Sequence, residues 1–375
     1  MNSRVLVIFV DALGPCQLDA AGGFGGLPYR GQLRGFLGYS CGALPTLLTG
    51  APPARHGRMC LFAQAPKGTG VLAPLAWLGL LPRLLHERSR LRRLAAWMLA
   101  RQARLTGYVE LYRVPPEAFR WLELPEREDL FAAERIGGCE TFLSVARRAG
   151  LRVFAAPWQL PEEQRWAHTE AVLREQRPEL AFAYATELDG ALHRAGNDSA
   201  EARLAMRRIT TRIARATEAM RAGGGEVRTI VVGDHGMADI DRVVDPRGLL
   251  RRLRGVRAFV DSTMLRLWGD DRTLARARDV VEGEGLPGQW LDTGALEARQ
   301  APTHGDPYGR ALFLLEQGSL FAPSFVGGAV RGMHGYDVGS SSALAAIASD
   351  TPIPESCHSL TDVAPWVRSL LGVTA

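Results

Sequence analysis

Val227-Arg228-Thr229-Ile230-Val231-Val232-Gly233-Asp234-His235-Gly236-Met237 decides how this chain is read. Residues 227–232 form an apolar, strand-like run that stops at Gly233. Asp234 and His235 therefore emerge together at the C-terminal end of a strand. A strand end gains little from two desolvated polar groups. As ligands for a divalent cation they make sense, because the ion offsets their desolvation cost. Taken by itself, the run could equally be a solvated turn.

Three further pieces repeat the arrangement. Val5-Leu6-Val7-Ile8-Phe9-Val10 runs directly into Asp11, and residues 180–186 lead to Asp189, with His193 four residues on. Near the C-terminus, Gly332-Met333-His334-Gly335-Tyr336 sets a histidine between glycines, where the backbone bends freely. Each has a bland alternative: a helix cap for Asp11, a turn for Asp189, a packed loop histidine for His334. Their recurrence in a chain of alternating strands and helices favours one shared site, because open parallel sheets gather active sites at the carboxyl ends of their strands.

A nucleophile comes from Gly38-Tyr39-Ser40-Cys41-Gly42-Ala43-Leu44-Pro45-Thr46-Leu47-Leu48-Thr49-Gly50, followed by Ala51-Pro52-Pro53-Ala54-Arg55-His56-Gly57. The stretch 45–57 resembles the alkaline phosphatase superfamily, in particular its nucleotide pyrophosphatase/phosphodiesterase branch. In that family the nucleophile lies nine residues before the Thr of the Thr-Gly pair, which here is Ser40. The family's order along the chain is Asp, nucleophile, Asp-x-x-x-His, Asp-His, His. Asp11, Ser40, Asp189, His193, Asp234, His235 and His334 fill all seven places.

The resemblance implies two divalent metals. Asp189, His193 and His334 would hold one; Asp11, Asp234, His235 and the Ser40 hydroxyl would hold the other. Mixed imidazole and carboxylate ligands favour Zn2+, with Mn2+ the alternative. A serine hydroxyl is a poor nucleophile near neutral pH, and a coordinated metal lowers its pKa. The implied course is attack by Ser40, a covalent phospho-enzyme, and hydrolysis by water held at the metals. His56 shapes the nucleophile loop and is not counted as a ligand.

Two departures from the family bear on the substrate. Sulfatases of this superfamily need an Arg four residues after their modified Cys, whereas Leu44 and Pro45 follow Ser40 and Cys41 at that spacing. Cys41 is therefore read as a small packing residue, and sulfate esters drop to third choice. Phosphodiesterases of the family often carry an Asn shortly after the His-Gly pair. Here Arg58-Met59-Cys60-Leu61-Phe62 follows, which leaves Arg58 or Lys67 to grip a phosphate oxygen.

The expected activity is hydrolysis of a phosphodiester or pyrophosphate in a nucleotide- or lipid-linked small molecule, not a nucleic acid polymer. A phosphomonoesterase, phosphonate hydrolase or phosphomutase would use the same metals. A non-catalytic binding protein on this fold is a third class, opposed by the complete ligand set.

Composition agrees with a globular enzyme. The 375 residues are 46% hydrophobic and 23% charged, with net charge +5, too mild to argue for nucleic acid. Five cysteines without close spacing read as free thiols in a reducing compartment. The first strand begins almost at once, with no leader pattern before it. A cytoplasmic location is expected, with peripheral contact at the inner membrane surface as its variant.

The fold expected is α/β, a mostly parallel central sheet with helices on both faces, alkaline-phosphatase-like, with inserted caps. Residues 1–60, 139–250 and 326–375 would form the metallohydrolase core, 61–138 a basic helical cap and 251–325 a small α/β cap. A helix is expected over 139–149 and another after Asp198, where Met206, Ile209, Ile213, Ala216 and Met220 mark one buried face. In the second cap, residues 259–268 read as strand, 273–282 as helix and 311–315 as strand. The stretch Arg83 to Arg104 carries seven arginines against one glutamate, and Leu84, Leu91, Leu94, Met98 and Leu105 keep near-helical spacing. Such a basic amphipathic helix is a solvated cap, a surface for anionic lipid, or an electrostatic clamp over a phosphate-rich substrate.

Overall fold

The computed structural model describes residues 3–373, apart from 67–69, 83, 84, 86 and 254. Lys67, Arg83 and Leu84 thus lie outside the described residues. The central sheet has six strands: β1 (Arg4–Val10), β2 (Tyr29–Arg34), β3 (Val153–Ala155), β4 (Leu180–Ala185), β5 (Val227–Val232) and β6 (Leu344–Ser349). Their order is β2-β6-β5-β1-β4-β3. The run from β5 to β3 is parallel, while β6 pairs antiparallel with both β5 and β2. The fold is α/β with a mostly parallel sheet, as expected.

β1 is central, and its alternation explains the two layers. Leu6, Ile8 and Val10 pack with Met206, Ile209, Ile213, Ala216 and Met220 of helix Ala200–Ala222 on one face. Val5, Val7 and Phe9 pack on the other with helices Ser40–Thr49, Phe142–Arg148 and Leu360–Leu371. A strand buried on both sides must be apolar at every position, and β1 is buried throughout. Register sets the site. Val10 pairs with Ala185 and Phe9 with Val232, so all three strands end at one edge.

Ser199 caps the long helix by accepting the Ala202 N–H, and Gly223 closes it. The helix expected over 139–149 starts later, at Phe142. Thr141 accepts the Ser144 N–H as its N-cap, and Cys139–Glu140 is drawn into a short hairpin with Arg135–Ile136. Residues 259–268 are not one strand. Asp261-Ser262-Thr263 turns the chain between antiparallel strands Arg257–Val260 and Met264–Trp268, which join Ala311–Leu315 and Gly288–Leu291 in a four-stranded sheet. Arg266 crosses this sheet fully buried, paired with Asp261 and donating to the Phe62 carbonyl at 2.8 Å.

The arginine-rich segment does form a helix, Ser89–Gln102, but it is rotated from the face its leucines suggest. Arg92, Ala95, Ala96 and Leu99 are buried, whereas Leu94 and Met98 are exposed. Arg92 turns inward because its Nη1 donates to the Val114 carbonyl at 2.8 Å, a partner far along the chain.

Candidate active site

The strand ends bring the candidate ligands together, with Asp11, Asp189, His193 and His334 lining one cavity and Asp234 and His235 set behind it. Asp11 follows β1 directly, and its N–H still pairs with the Ala185 carbonyl at 2.9 Å. Thr186 leads into helix Glu187–Ala195, whose i and i+4 positions place Asp189 and His193 side by side, Oδ1 to Nε2 at 3.1 Å. Beyond β5, Gly233 lies against the Leu13 carbonyl, where any Cβ would come within 2.1 Å. That close approach turns the chain so that Asp234 Oδ1 accepts N–H groups from Ala12 and His235. His334 follows the strand Gly332–Met333, which pairs with Ala238–Asp239.

Gly335 adopts φ +87°, and a Cβ there would meet the Tyr39 ring at 2.5 Å. Tyr39 stands edge-on to His334 and immediately precedes Ser40. Ser40 opens helix Ser40–Thr49, whose backbone bonds begin with the Gly42 N–H to the Tyr39 carbonyl, so the positive end of the helix lies at Ser40 and favours negative charge. Its Oγ lies 3.0 Å from His235 Nε2 and 3.3 Å from Asp11 Oδ1.

Two triads result, Asp189/His193/His334 and Asp11/Asp234/His235, each with its ligand atoms within 4.8 Å of one another. The imidazoles are oriented from behind. His193 Nδ1 faces the Gly332 carbonyl and His235 Nδ1 the Gly236 carbonyl, both at 2.8 Å. Such bonds fix the proton on Nδ1 and leave Nε2 as the free lone pair. Tyr184 donates to Asp11 Oδ2 at 3.3 Å and holds that carboxylate in place.

The electrostatics call for cations. Asp234 Oδ2, Asp189 Oδ1 and His334 Nδ1 are buried without a hydrogen-bond partner. Asp234 Oδ2 is 3.1 Å from His235 Nε2, yet the geometry makes no hydrogen bond. Burial, then the charges of Asp234 and Asp189, push the Asp11 carboxyl well above its usual range. Burial works against charge on His235, but Asp234 and then Asp11 lift it to about 9. His334, buried beside His235 and His193, is pushed well down. Three carboxylates and three imidazoles with orphaned acceptors fit divalent cations.

His56 is structural. Its Nδ1 accepts the Arg58 N–H, so Nε2 donates to Thr46 Oγ1 at 2.9 Å, and burial lowers its pKa to about 3. Cys41 is no ready nucleophile, since burial pushes its thiol up and its Sγ leans on the Met59 carbonyl. Arg58 does not line the cavity, although its charge reaches Cys41 and Glu126.

The cavity measures about 690 Å³. Beyond the ligands, Tyr108, Tyr112, Phe131, Trp158, Tyr184 and Phe325 give it an aromatic wall, and Glu126 and Asp129 add carboxylates. None of these residues was anticipated from sequence. Tyr39 and Tyr184 had a usable signal in their adjacency to Ser40 and to the end of β4. The others come from loops with no periodicity.

The three strand-end ligand sites and the sheet order define an alkaline-phosphatase-like fold. Comparison with known proteins narrows it. Residues 113–284 match the family model for type I phosphodiesterase / nucleotide pyrophosphatase, a span containing Asp189, His193, Asp234 and His235. No curated protein sequence matches the chain. Among solved structures, murine ectonucleotide pyrophosphatase/phosphodiesterase 5 aligns at 16% identity and TM-score 0.67, covering 100% of this chain and 96% of that one. The human counterpart aligns at 14% identity and TM-score 0.67, with the same coverage. An inactive form of the murine protein in complex with AMP aligns at 17% identity and TM-score 0.65, again covering 100% and 96%. Family match and fold together support a phosphoric ester hydrolase with an alkaline-phosphatase-like fold. Its resemblance is to type I phosphodiesterases and nucleotide pyrophosphatases.

Proposed function

We propose that the protein hydrolyses phosphodiesters or pyrophosphates of small nucleotide- or lipid-linked molecules, using Ser40 and two divalent metals, Zn2+ before Mn2+. The carrying observation is the Ser40 Oγ, held at a helix N-terminus within 3.3 Å of two members of one triad and opening into the shared cavity. Asp189, His193 and His334 would hold one cation, and Asp11, Asp234, His235 and Ser40 the other. Bound there, the cations would lower the Ser40 pKa and neutralise charge on the phosphoryl oxygens.

The chain's own residues supply the rest. Ser40 Oγ forms a bond to phosphorus as the first alcohol or phosphate leaves with a proton. Water then cleaves the Ser40–phosphorus bond and returns the hydroxyl. Tyr184 orients Asp11, the Gly332 and Gly236 carbonyls orient His193 and His235, and the first-turn N–H groups face the developing negative charge.

The match to type I phosphodiesterases supports a diester, and the aromatic wall offers a stacking surface for one of its arms. AMP is bound by the murine relative in its inactive form; we extend a nucleotide-type substrate to this chain as one candidate beside a lipid-linked one. The core (1–60, 139–250, 326–375) and caps (61–138, 251–325) are a working division, supported by all six central strands falling within the first set. A cytoplasmic location is supported by five unpaired cysteines. Among the described residues, no helix is long and apolar enough to cross a membrane.

Turnover of paired aryl monoester and diester substrates by the purified protein, with metal analysis of the same sample, tests this reading. Diester hydrolysis abolished by Ser40→Ala is expected. An inert, metal-free protein after growth with zinc and manganese would refute it.

A further inference from the structure

Helix Ser89–Gln102 presents to solvent a stripe that a cap helix would ordinarily bury. Leu94, Trp97 and Met98 are exposed, Trp97 at 59%. By three- and four-residue spacing they share a face with Arg90 and Arg101. The Arg101 guanidinium lies over the Trp97 ring, 5.9 Å from its centre. The helix contains four arginines and no Asp or Glu. The turn Ala73–Leu80 packs into the same cluster as Ala95, Ala96 and Leu99, and it leaves Trp77 and Leu80 exposed, Leu80 at 86%.

We propose that this face docks on a bilayer surface rich in anionic lipid. Leu94, Trp97 and Met98 enter the boundary between headgroups and acyl chains, while Arg90, Arg93 and Arg101 meet lipid phosphates. An apolar stripe edged by arginines is the pattern of an interfacial helix, and tryptophan favours that depth. Charge selects this occupant over a second copy of the chain. Two copies meeting on this face would set the exposed arginines of one against those of the other, whereas an anionic surface complements them.

The helix is also tied to the cavity. Arg92 donates to the Val114 carbonyl, Arg113 N–H to the Phe325 carbonyl, and Tyr112 and Phe325 line the aromatic wall. A docked helix would therefore hold the cavity near the lipid surface. Docking itself does not depend on the proposed chemistry, because binding is read without turnover.

The test is sedimentation of the full-length protein with large vesicles of phosphatidylcholine, alone or mixed with phosphatidylglycerol. The wild type should bind the mixed vesicles, and added salt should release it, since exposed charges are screened over about 8 Å at physiological ionic strength. Replacing Leu94, Trp97 and Met98 with Ser should weaken binding by about tenfold or more, as loss of inserted apolar area requires. The variant's thermal melt should stay unchanged because those side chains are exposed. Replacing Arg90, Arg93 and Arg101 with Gln should remove the preference for phosphatidylglycerol. Quenching of tryptophan fluorescence by brominated lipid should fall in Trp97→Phe. Failure of the wild type to bind mixed vesicles at low salt would overturn the proposal, as would binding insensitive to both sets of substitutions. A dimer that the serine variant dissolves would also overturn it, showing that a second copy covers the face.

Discussion

The imidazoles of His235 and His334 stack face to face, ring centres 3.6 Å apart and planes 11° from parallel. They belong to different triads, so the two candidate metal positions share a wall rather than standing apart. Removing either ring disturbs one position directly and its neighbour through lost packing.

The first expectation follows from that wall. His334→Ala should empty mainly the Asp189/His193 position, and Asp234→Ala mainly the Asp11/His235 position. Each should also loosen the other partly. Elemental analysis of wild type and variants, expected to give two, about one and about one metal per chain, checks it. Unchanged stoichiometry in both variants would remove these residues from the ligand set.

Ser40 and Cys41 are neighbours with opposite forecasts. Ser40→Ala should abolish turnover with little change in melting temperature or metal content. Cys41→Ala should retain substantial activity, because burial keeps that thiol protonated. Steady-state rates decide the matter, and an active Ser40 variant beside a dead Cys41 variant would mean that the nucleophile had been placed one residue early.

The match to type I phosphodiesterases and the absence of the sulfatase Arg after Cys41 forecast that diesters outpace monoesters and that sulfate esters are hardly touched. A tenfold monoester preference in kcat/KM, about 1.4 kcal/mol of transition-state discrimination, would instead favour the phosphomonoesterase reading.

Glu126 provides a pH test. Burial lifts its carboxyl to about 7, against the opposing Tyr108 N–H and the Arg58 charge. Its folded value lies above the unfolded one, near 4.3. Its contribution to stability is therefore complete below about pH 4 and lost as pH rises through about 7. Glu126→Gln should flatten this part of the profile, so melting temperatures measured at about pH 5 and about pH 8 should differ less than in the wild type. Parallel profiles would assign the slope to another group.

The candidate ligands Asp11 and Asp234 were legible in sequence because each sits where an apolar run stops. Asp11 after Val10 and Asp234 after Gly233 are local signals, and the register of β1 with β4 and β5 brings them together. The rotation of helix Ser89–Gln102 was not legible. Leucines and arginines are interleaved there, and a distant acceptor, the Val114 carbonyl, decides that Arg92 turns inward. The break at Asp261-Ser262-Thr263 did carry a signal, three polar residues inside an apolar run, outweighed by the apolar residues around it. The cavity's aromatic wall had none, since Tyr108, Trp158 and Phe325 meet only through tertiary folding.

His193 and the segment before His334 brace each other. The Arg331 N–H donates to the His193 carbonyl, and the Gly332 carbonyl faces His193 Nδ1. Half of this brace is synthesised well over a hundred residues after the other. A chain still emerging from the ribosome can complete β1, β4 and β5 and present Asp11, Asp189 and Asp234, yet it has no His334. The Asp189/His193/His334 triad closes only once the chain has been made through His334. A growing chain therefore carries its acidic cluster exposed to stray cations before the third imidazole of the site arrives.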